Sequence, residues 1–544
     1  MRTGHELSRR TLLTGTALLS GAVTLAPERA SQAIATELRR GTEAPRGPAT
    51  VVAPGDVRYP GLTRGQNQRW VSRPDYVRLP CTTEDVVEAV QEAVLSRKRL
   101  SVRSGGHCYE DFVDNPEVQA IVDMSEMSAV EYDEEREAIV SQAGATLGQV
   151  YYTLYKRWGV TLPGGSCYPV GVGGHVPGGG YGQLCRLHGL IVDHLYAVEV
   201  ITVDRAGRAR AVLATRDASD PGRELWWAHT GGGGGSFGIA TRFWFRSPSA
   251  RGSDPAGLLP RPPAEVWVAS VQWSWEGMTF ARFARLLSNY GLWHERNSAA
   301  GSPYAGLFAR LEPTTRATGP FSMIVQMDAT QPDAERLLQR FIEEIGSGVS
   351  ADRTVTDHRK LPWLHSTGWP GLWVSNPTDR YEYKSSYHRR SFTMSQLHAF
   401  YATLTQTDYA PPGWVVSIAS YGGRVNAMHS RATAEPHRDS VLKLLWGTAW
   451  ADAAQDELHV GWFRDFYRAV YADTGGVPVP NAATDGCFIN YADTDLNDTT
   501  LNTSGVPWHE LYWKDGYARL QRVKARWDPL DVFRHAQSVR LPGS

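Results

Sequence analysis

Two glycine-framed stretches, Arg103–Phe112 (RSGGHCYEDF) and Leu162–Gly182 (LPGGSCYPVGVGGHVPGGGYG), decide how this 544-residue chain is to be read. A glycine leaves its backbone N–H open to close approach, and successive N–H groups in a turn form a concave nest for an anion such as a phosphate or pyrophosphate. Gly105, Gly106, Gly164, Gly165, Gly173, Gly174, Gly178, Gly179 and Gly180 supply such turns, so a nucleotide ligand is expected. Neither run is the dinucleotide fingerprint of a doubly wound fold, because after Gly171 and Gly173 the third position is Val176 and no strand-then-helix pattern frames it. Neither contains a phosphate-loop Lys-Ser or Lys-Thr.

Further motifs follow in a fixed order. Cys167 lies 60 positions after His107, then come VGVGGH from Val170, GGGGGSFGIAT from Gly231 and FINYADTDL from Phe488. This order resembles the berberine-bridge-enzyme family of FAD-linked oxidases, which has the vanillyl-alcohol-oxidase fold, and the resemblance runs from about residue 60 to the C-terminus. Within the family the pattern is most similar to bacterial antibiotic-tailoring sugar oxidases. The resemblance implies FAD bonded twice, through His107 to the flavin 8α-methyl carbon and through Cys167 to ring carbon 6. It also implies a cofactor wall from Arg103, Ser104, Gly105, Gly106, Gly164, Gly165, Val170, Gly171, Gly174, His175, Gly179, Gly180, Gly182, Gly238, Ile239 and Asn490. Val170, three positions after the cysteine, is the expected small gate through which oxygen reaches the reduced flavin.

Oxidising an alcohol removes a hydroxyl proton while a hydride leaves carbon, so a base is required on the substrate side. The resemblance puts Tyr491 first as that base, with Tyr421 (in SYGGRVN) and Tyr181 (in GGGYG) next. The implied activity is oxidation of a small-molecule alcohol, a sugar or a glycosylated metabolite, with O2 as acceptor and hydrogen peroxide as product. A non-sugar alcohol or an amine on a polyketide-type metabolite is the alternative substrate, and a secreted carbohydrate-binding protein with vestigial flavin loops is the alternative from another class.

The N-terminus reads as a twin-arginine export signal over 1–35: Ser8-Arg9-Arg10-Thr11-Leu12-Leu13 opens an apolar run, and Ala33-Ile34-Ala35 supplies small residues for cleavage. The run is too short and interrupted to span a membrane, so an exported, soluble enzyme is expected. With 56 basic against 57 acidic side chains, no basic field invites nucleic acid. Five cysteines at irregular spacing point to neither a disulfide scaffold nor a zinc site, and no metal is expected.

The expected fold is α+β. Residues 36–56 read as linker, 57–247 as the flavin domain, 264–476 as a substrate domain with an antiparallel sheet backed by helices, and 477–544 as a segment returning to complete the flavin domain. Thr82-Thr83-Glu84-Asp85 reads as a helix start, Leu100–Val102 as the strand that delivers the His107 loop, and Leu147–Trp158 as an amphipathic helix before the Cys167 loop. In the second half, Glu265–Trp275, Phe321–Met327, Tyr381–His388 and Trp414–Tyr421 read as strands and Asp333–Ile345 as a helix. That half is crowded with indoles, Trp267, Trp273, Trp275, Trp293, Trp363, Trp369, Trp373 and Trp414, whose faces are suited to stacking on sugar or polycyclic rings.

Overall fold

Thr82 starts the first long helix, Thr83–Leu95, by a reciprocal cap: its hydroxyl accepts from the Asp85 N–H, and the Asp85 carboxylate accepts from the Thr82 N–H. Such a cap contributes about 1 kcal/mol. Val86, Ala89, Val90 and Ala93 fall on one face and are buried. The chain then enters the strand Leu100–Arg103, whose end launches the His107 loop. The computed structural model describes residues 49–349, 352–368, 377–409, 411 and 413–543. The expected export signal, and Trp369 and Trp373, lie outside them.

Leu100–Arg103 belongs to a four-stranded sheet ordered Thr50–Val52, Tyr76–Leu79, Ala120–Asp123, Leu100–Arg103, in which the last strand runs parallel to Ala120–Asp123. Thr50–Val52 corrects the expected linker over 36–56. It pairs antiparallel with Tyr76–Leu79, and Val52 is buried with Val77, Val118 and Ile121. A polar, proline-containing surround hid a three-residue β-branched strand. A second, antiparallel sheet runs Val130–Asp133, Ala138–Gln142, Ile239–Phe245, Leu195–Val203, Ala209–Thr215. The helix Leu147–Trp158 is capped by Thr146 and closed by Gly159 at φ +67°, a left-handed position that glycine takes without strain.

The third sheet has seven antiparallel strands, ordered Arg353–Pro362, Glu265–Trp273, Phe321–Asp328, Leu307–Glu312, Val416–Ser420, Leu442–Trp450, Arg380–His388. The strand expected over Trp414–Tyr421 is shorter because Gly413, Gly422 and Gly423 take positive φ and turn the chain at both ends. One face of this sheet is covered by the helices Phe280–Arg296, Ala334–Gly346, Met394–Thr405 and Asp456–Val470, which bury Phe283, Leu338, Phe400 and Phe463 in one core. Alternate residues of the same strands face the other way, and Phe308, Arg310 and Glu312, then Lys443, Leu445 and Gly447, line a cavity. A second core gathers the first two sheets and also takes in Phe488, Leu511, Trp513, Leu520 and Val539 from the C-terminal segment. The whole is an α+β fold. Among the described residues no helix is long and apolar enough to cross a membrane.

Candidate active site

The two glycine runs are pressed together. A side-chain carbon on Gly105 would lie 2.3 Å from the Gly171 nitrogen, and one on Gly171 would lie 2.0 Å from the Ser104 hydroxyl oxygen, so neither position accepts a larger residue. This backbone contact brings the His107 and Cys167 loops into one wall of a cavity of about 470 Å3. Ser104 fixes the edge of the wall by donating to the Ala143 carbonyl at 2.6 Å. Gly174 faces open space, with nothing within 4 Å of where a side chain would start, and Gly233 and Gly235 of the five-glycine run adopt φ +87° and +69° beside the same cavity. Arg103 reaches Asp123 at 3.6 Å, but its Nη1 is buried without a hydrogen-bond partner. A buried guanidinium nitrogen left unpaired beside bare glycine backbone is chemistry suited to a diphosphate, so the residues present fit a flavin nucleotide.

His107 and Cys167 both line this cavity. Burial, reinforced by the Arg103 charge, pushes the His107 pKa down to about 4, so its imidazole is neutral and nucleophilic at ordinary pH. The Cys167 turn is held from behind: Gly165 donates its N–H to His175 Nε2 at 3.1 Å, Tyr151 donates its hydroxyl to the Gly165 carbonyl at 2.6 Å, and Val170 donates to the Cys167 carbonyl at 3.2 Å. Asn490 clamps the C-terminal segment on this wall by donating to the His175 carbonyl at 2.9 Å. Gly165, Val170, His175, Gly182, Gly238, Ile239 and Asn490 face the cavity, together with Arg103, Ser104, Gly105, Gly106, Gly171 and Gly174.

Three expected wall glycines do not reach it. Gly164 sits under the Tyr151 hydroxyl, Gly179 packs against Glu435 and Phe488, and Gly180 against Ile191, so they shape the turn from behind. Tyr421 is a further correction. It is fully buried behind Tyr181, at 5.6 Å between ring centroids, and does not line the cavity, because the Gly422 and Gly423 turns draw it under the sheet. Tyr181 and Tyr491 do line the cavity. Of the described indoles singled out in the sequence, Trp414 alone faces it, whereas Trp273 and Trp293 are fully buried in the helix-backed core.

Several site residues escaped the sequence reading. The Lys443 side-chain nitrogen lies 3.5 Å from the Tyr491 ring centroid, 4.3 Å from Phe488 and 4.5 Å from Tyr181. Burial drives its pKa well below the ordinary lysine value, while the Tyr491 pKa is raised, again by burial. The signal was available: Lys443 is the one charge in the apolar strand run Val441–Trp450, VLKLLWGTAW. Tyr109, two residues after His107, stacks on Tyr383 at 3.8 Å and lies 5.5 Å from Tyr491, extending an aromatic wall to Tyr381.

Comparison with known proteins gives concordant results. The FAD binding domain family matches residues 74–209, and the "Berberine and berberine like" family matches residues 487–540. Aclacinomycin-N/aclacinomycin-A oxidase of Streptomyces galilaeus is 49% identical over 490 residues, 90% of this chain and 89% of that protein. Hexose oxidase of Chondrus crispus is 31% identical over 532 residues, 89% of this chain and 93% of its own. A glycopeptide hexose oxidase, solved in complex with teicoplanin, superposes with a TM-score of 0.87 at 46% identity, covering 91% of this chain and all of that one.

Proposed function

The chain belongs to the berberine-bridge-enzyme family of FAD-dependent oxidoreductases, and on that footing we propose that it oxidises an alcohol on a sugar or glycosylated natural product, with O2 as the final acceptor. The observation that carries this reading is the pairing of Lys443 with Tyr491 in the same cavity as His107 and Cys167. When bound, FAD would supply the hydride acceptor and the redox chemistry by which oxygen becomes hydrogen peroxide. His107 and Cys167 are the proposed covalent attachment points, and Arg103 with the glycine turns holds the diphosphate.

The chain's own part is proton management. At rest burial favours a neutral phenol at Tyr491 and a neutral amine at Lys443. The substrate hydroxyl gives its proton to this pair as the hydride leaves carbon, and the ammonium that forms at Lys443 is stabilised by three aromatic faces. Tyr181 shapes the side of the site by donating its hydroxyl to the Ser420 carbonyl at 2.7 Å. Trp414, Tyr383 and Gly447 form the outer part: a side-chain carbon on Gly447 would lie 2.9 Å from Trp414 and 3.0 Å from Tyr383. An aromatic cleft of that kind suits a sugar ring or a planar aglycone. The twin-arginine leader adds the proposal that the enzyme is exported folded, with its cofactor in place.

The test has two steps. Flavin colour should stay with acid-precipitated polypeptide, and colour in the supernatant would remove the covalent reading. Under anaerobic conditions aclacinomycin A, teicoplanin and D-glucose are then mixed with the yellow protein. Bleaching that reverses in air, with peroxide released, is expected for at least one of them, and bleaching by none of them overturns the sugar-alcohol reading.

A further inference from the structure

The floor of the cavity is the face of the seven-stranded sheet turned away from its helices, and the pairing register fixes which side chains stand next to one another there. Arg310 pairs with Ala419, and Ala419 with Lys443, so these three residues form one rung across three neighbouring strands. All three line the cavity. Strands lie about 4.8 Å apart, which puts the Arg310 and Lys443 backbones roughly 10 Å from each other with only the Ala419 methyl between them. The next rung on the same face follows from the antiparallel pairing: Glu312, two positions after Arg310, comes beside Ser417, two positions before Ala419. Both also line the cavity.

Arg310 and Glu312 are mostly buried, and the Arg310 Nε lies 3.2 Å from a Glu312 carboxylate oxygen. Such a pair adds little net stability, because the cost of desolvating both charges offsets their attraction. What it does offer is a donor and an acceptor side by side. A guanidinium only donates hydrogen bonds, a carboxylate only accepts them, and a hydroxyl does both. The Ser417 hydroxyl adds a third polar group at the same place.

The proton transfer described above uses none of these groups, yet Arg310 faces the reacting end of the cavity. Burial, then the Cys167 thiol, raise the Tyr491 pKa, and the Arg310 charge acts against both. A sugar carries hydroxyls on adjacent ring carbons. A ring that places one of them at Tyr491 and Lys443 therefore turns the next toward Arg310, across Ala419.

We propose that Arg310, Glu312 and Ser417 form a subsite for a second hydroxyl of the substrate, on the carbon next to the one oxidised, and that the enzyme thereby selects sugars with a free vicinal diol. The inference rests on the sugar-alcohol reading given above and names the part of the sugar that is read. Arg310 donates to the second oxygen, and that hydroxyl donates in turn to Glu312. Ala419 is the spacer, since a larger side chain there would fill the gap that the ring edge crosses. An alcohol that lacks the second hydroxyl brings carbon against a charged pair, the kind of mismatch a pocket rejects most strongly.

The holoenzyme tests this directly. It is bleached anaerobically at increasing concentrations of whichever of aclacinomycin A, teicoplanin and D-glucose reduces it, which gives a limiting rate and a half-saturating concentration. Arg310→Ala should raise the half-saturating concentration by about thirtyfold, within the range for a hydrogen bond to a charged group, and change the limiting rate much less. Ethylguanidinium should restore much of the loss, whereas ethylammonium, equally charged but without the planar fork, should not. Two small competitors then read the diol itself. In the native enzyme trans-cyclohexane-1,2-diol should slow bleaching at about a tenfold lower concentration than cyclohexanol, and in Arg310→Ala the two should act alike. Equal competition by the two in the native enzyme overturns the subsite, as does a half-saturating concentration in Arg310→Ala within about twofold of native. Loss without rescue by ethylguanidinium marks a merely structural role and overturns it as well. Should Arg310→Ala fail to retain flavin, Glu312→Gln is read by the same two competitors, and an unchanged preference for the diol overturns the subsite. A native enzyme that none of the three compounds bleaches overturns the sugar-alcohol reading instead, and the subsite falls with it.

Discussion

Lys384 and Lys443 stand on adjacent strands of the seven-stranded sheet, and both are almost wholly buried, yet their surroundings are opposite in kind. Burial acts on each to disfavour the ammonium. At Lys384 this is more than reversed by Asp493 at 2.9 Å, Asp495 at 2.6 Å and Glu382 at 3.6 Å, so its pKa rises. At Lys443 aromatic rings replace the carboxylates, and the pKa falls well below the ordinary value. One lysine is a permanent counter-ion for an acidic pocket under the Tyr491 loop. The other is a base kept ready for a proton. Glu382, Asp493 and Asp495 lie close enough together to suit a metal ion, but the Lys384 nitrogen already occupies the space between them.

Substitutions that separate the two environments should produce distinct signatures. The largest effect is expected at Tyr491→Phe, which should keep bound flavin but lower the rate of anaerobic bleaching by about a thousandfold, within the range for general acid–base groups. An unchanged rate would dismiss Tyr491 as a member of the proton-accepting pair. Next is Lys384→Met, which strands three carboxylates and should cost about 3 kcal/mol of stability in a denaturant titration. Lys443→Met should show the reverse pattern, bleaching slowed by about a hundredfold with unchanged or slightly higher stability, because a neutral side chain replaces a desolvated base. With Lys443 required as the amine, the native bleaching rate should rise with pH as that amine loses its proton, and Lys443→Met should lack this limb. If both methionine variants lose stability equally, the distinction between the two lysines fails.

Much of this was legible in the sequence, and the rest was hidden for identifiable reasons. Capping residues and glycine spacing are local, so the Thr83–Leu95 and Leu147–Trp158 helices and the two anchor loops could be located from residues alone. The contact of Gly105 with Gly171 is not local, but both residues had to be glycine for it to form, and that left a mark. Lys443 left a fainter one, because its meaning depends on Phe488 and Tyr491 arriving from the far end of the chain. Tyr421 misled because the resemblance directs its motif, SYGGRVN, toward the substrate, whereas the turns there carry the ring away from the cavity.

The smallest effect is a pH dependence of stability, and its sign follows from the acidic pocket. Its four carboxylates, Glu110, Glu382, Asp493 and Asp495, face three cations, Lys384, Arg464 and Arg69, so one proton is retained. Burial, followed by the Glu382 charge, raises the Glu110 pKa from 4.5 to about 8, and the Thr494 N–H that it accepts at 2.8 Å only partly offsets this. Asp495 differs: burial opposes its charge, but Lys384 and Arg464 override it and hold the pKa at about 2. A raised folded-state pKa stabilises below the unfolded value and is lost as pH climbs through the folded one, so Glu110 weakens the protein between about 4.5 and about 8. The depressed Asp495 contribution is lost only as pH falls from 3.8 toward about 2. Buried neutral imidazoles such as His175 and His229, both near 4, act in the opposite sense to Glu110 below 6.5. The clean window therefore lies between about 6.5 and 8, where thermal melting of the native protein should decline with pH by up to about 1.4 kcal/mol per unit for one proton. Glu110→Gln should flatten that decline, and the same slope in the variant would show that the retained proton resides elsewhere in the pocket.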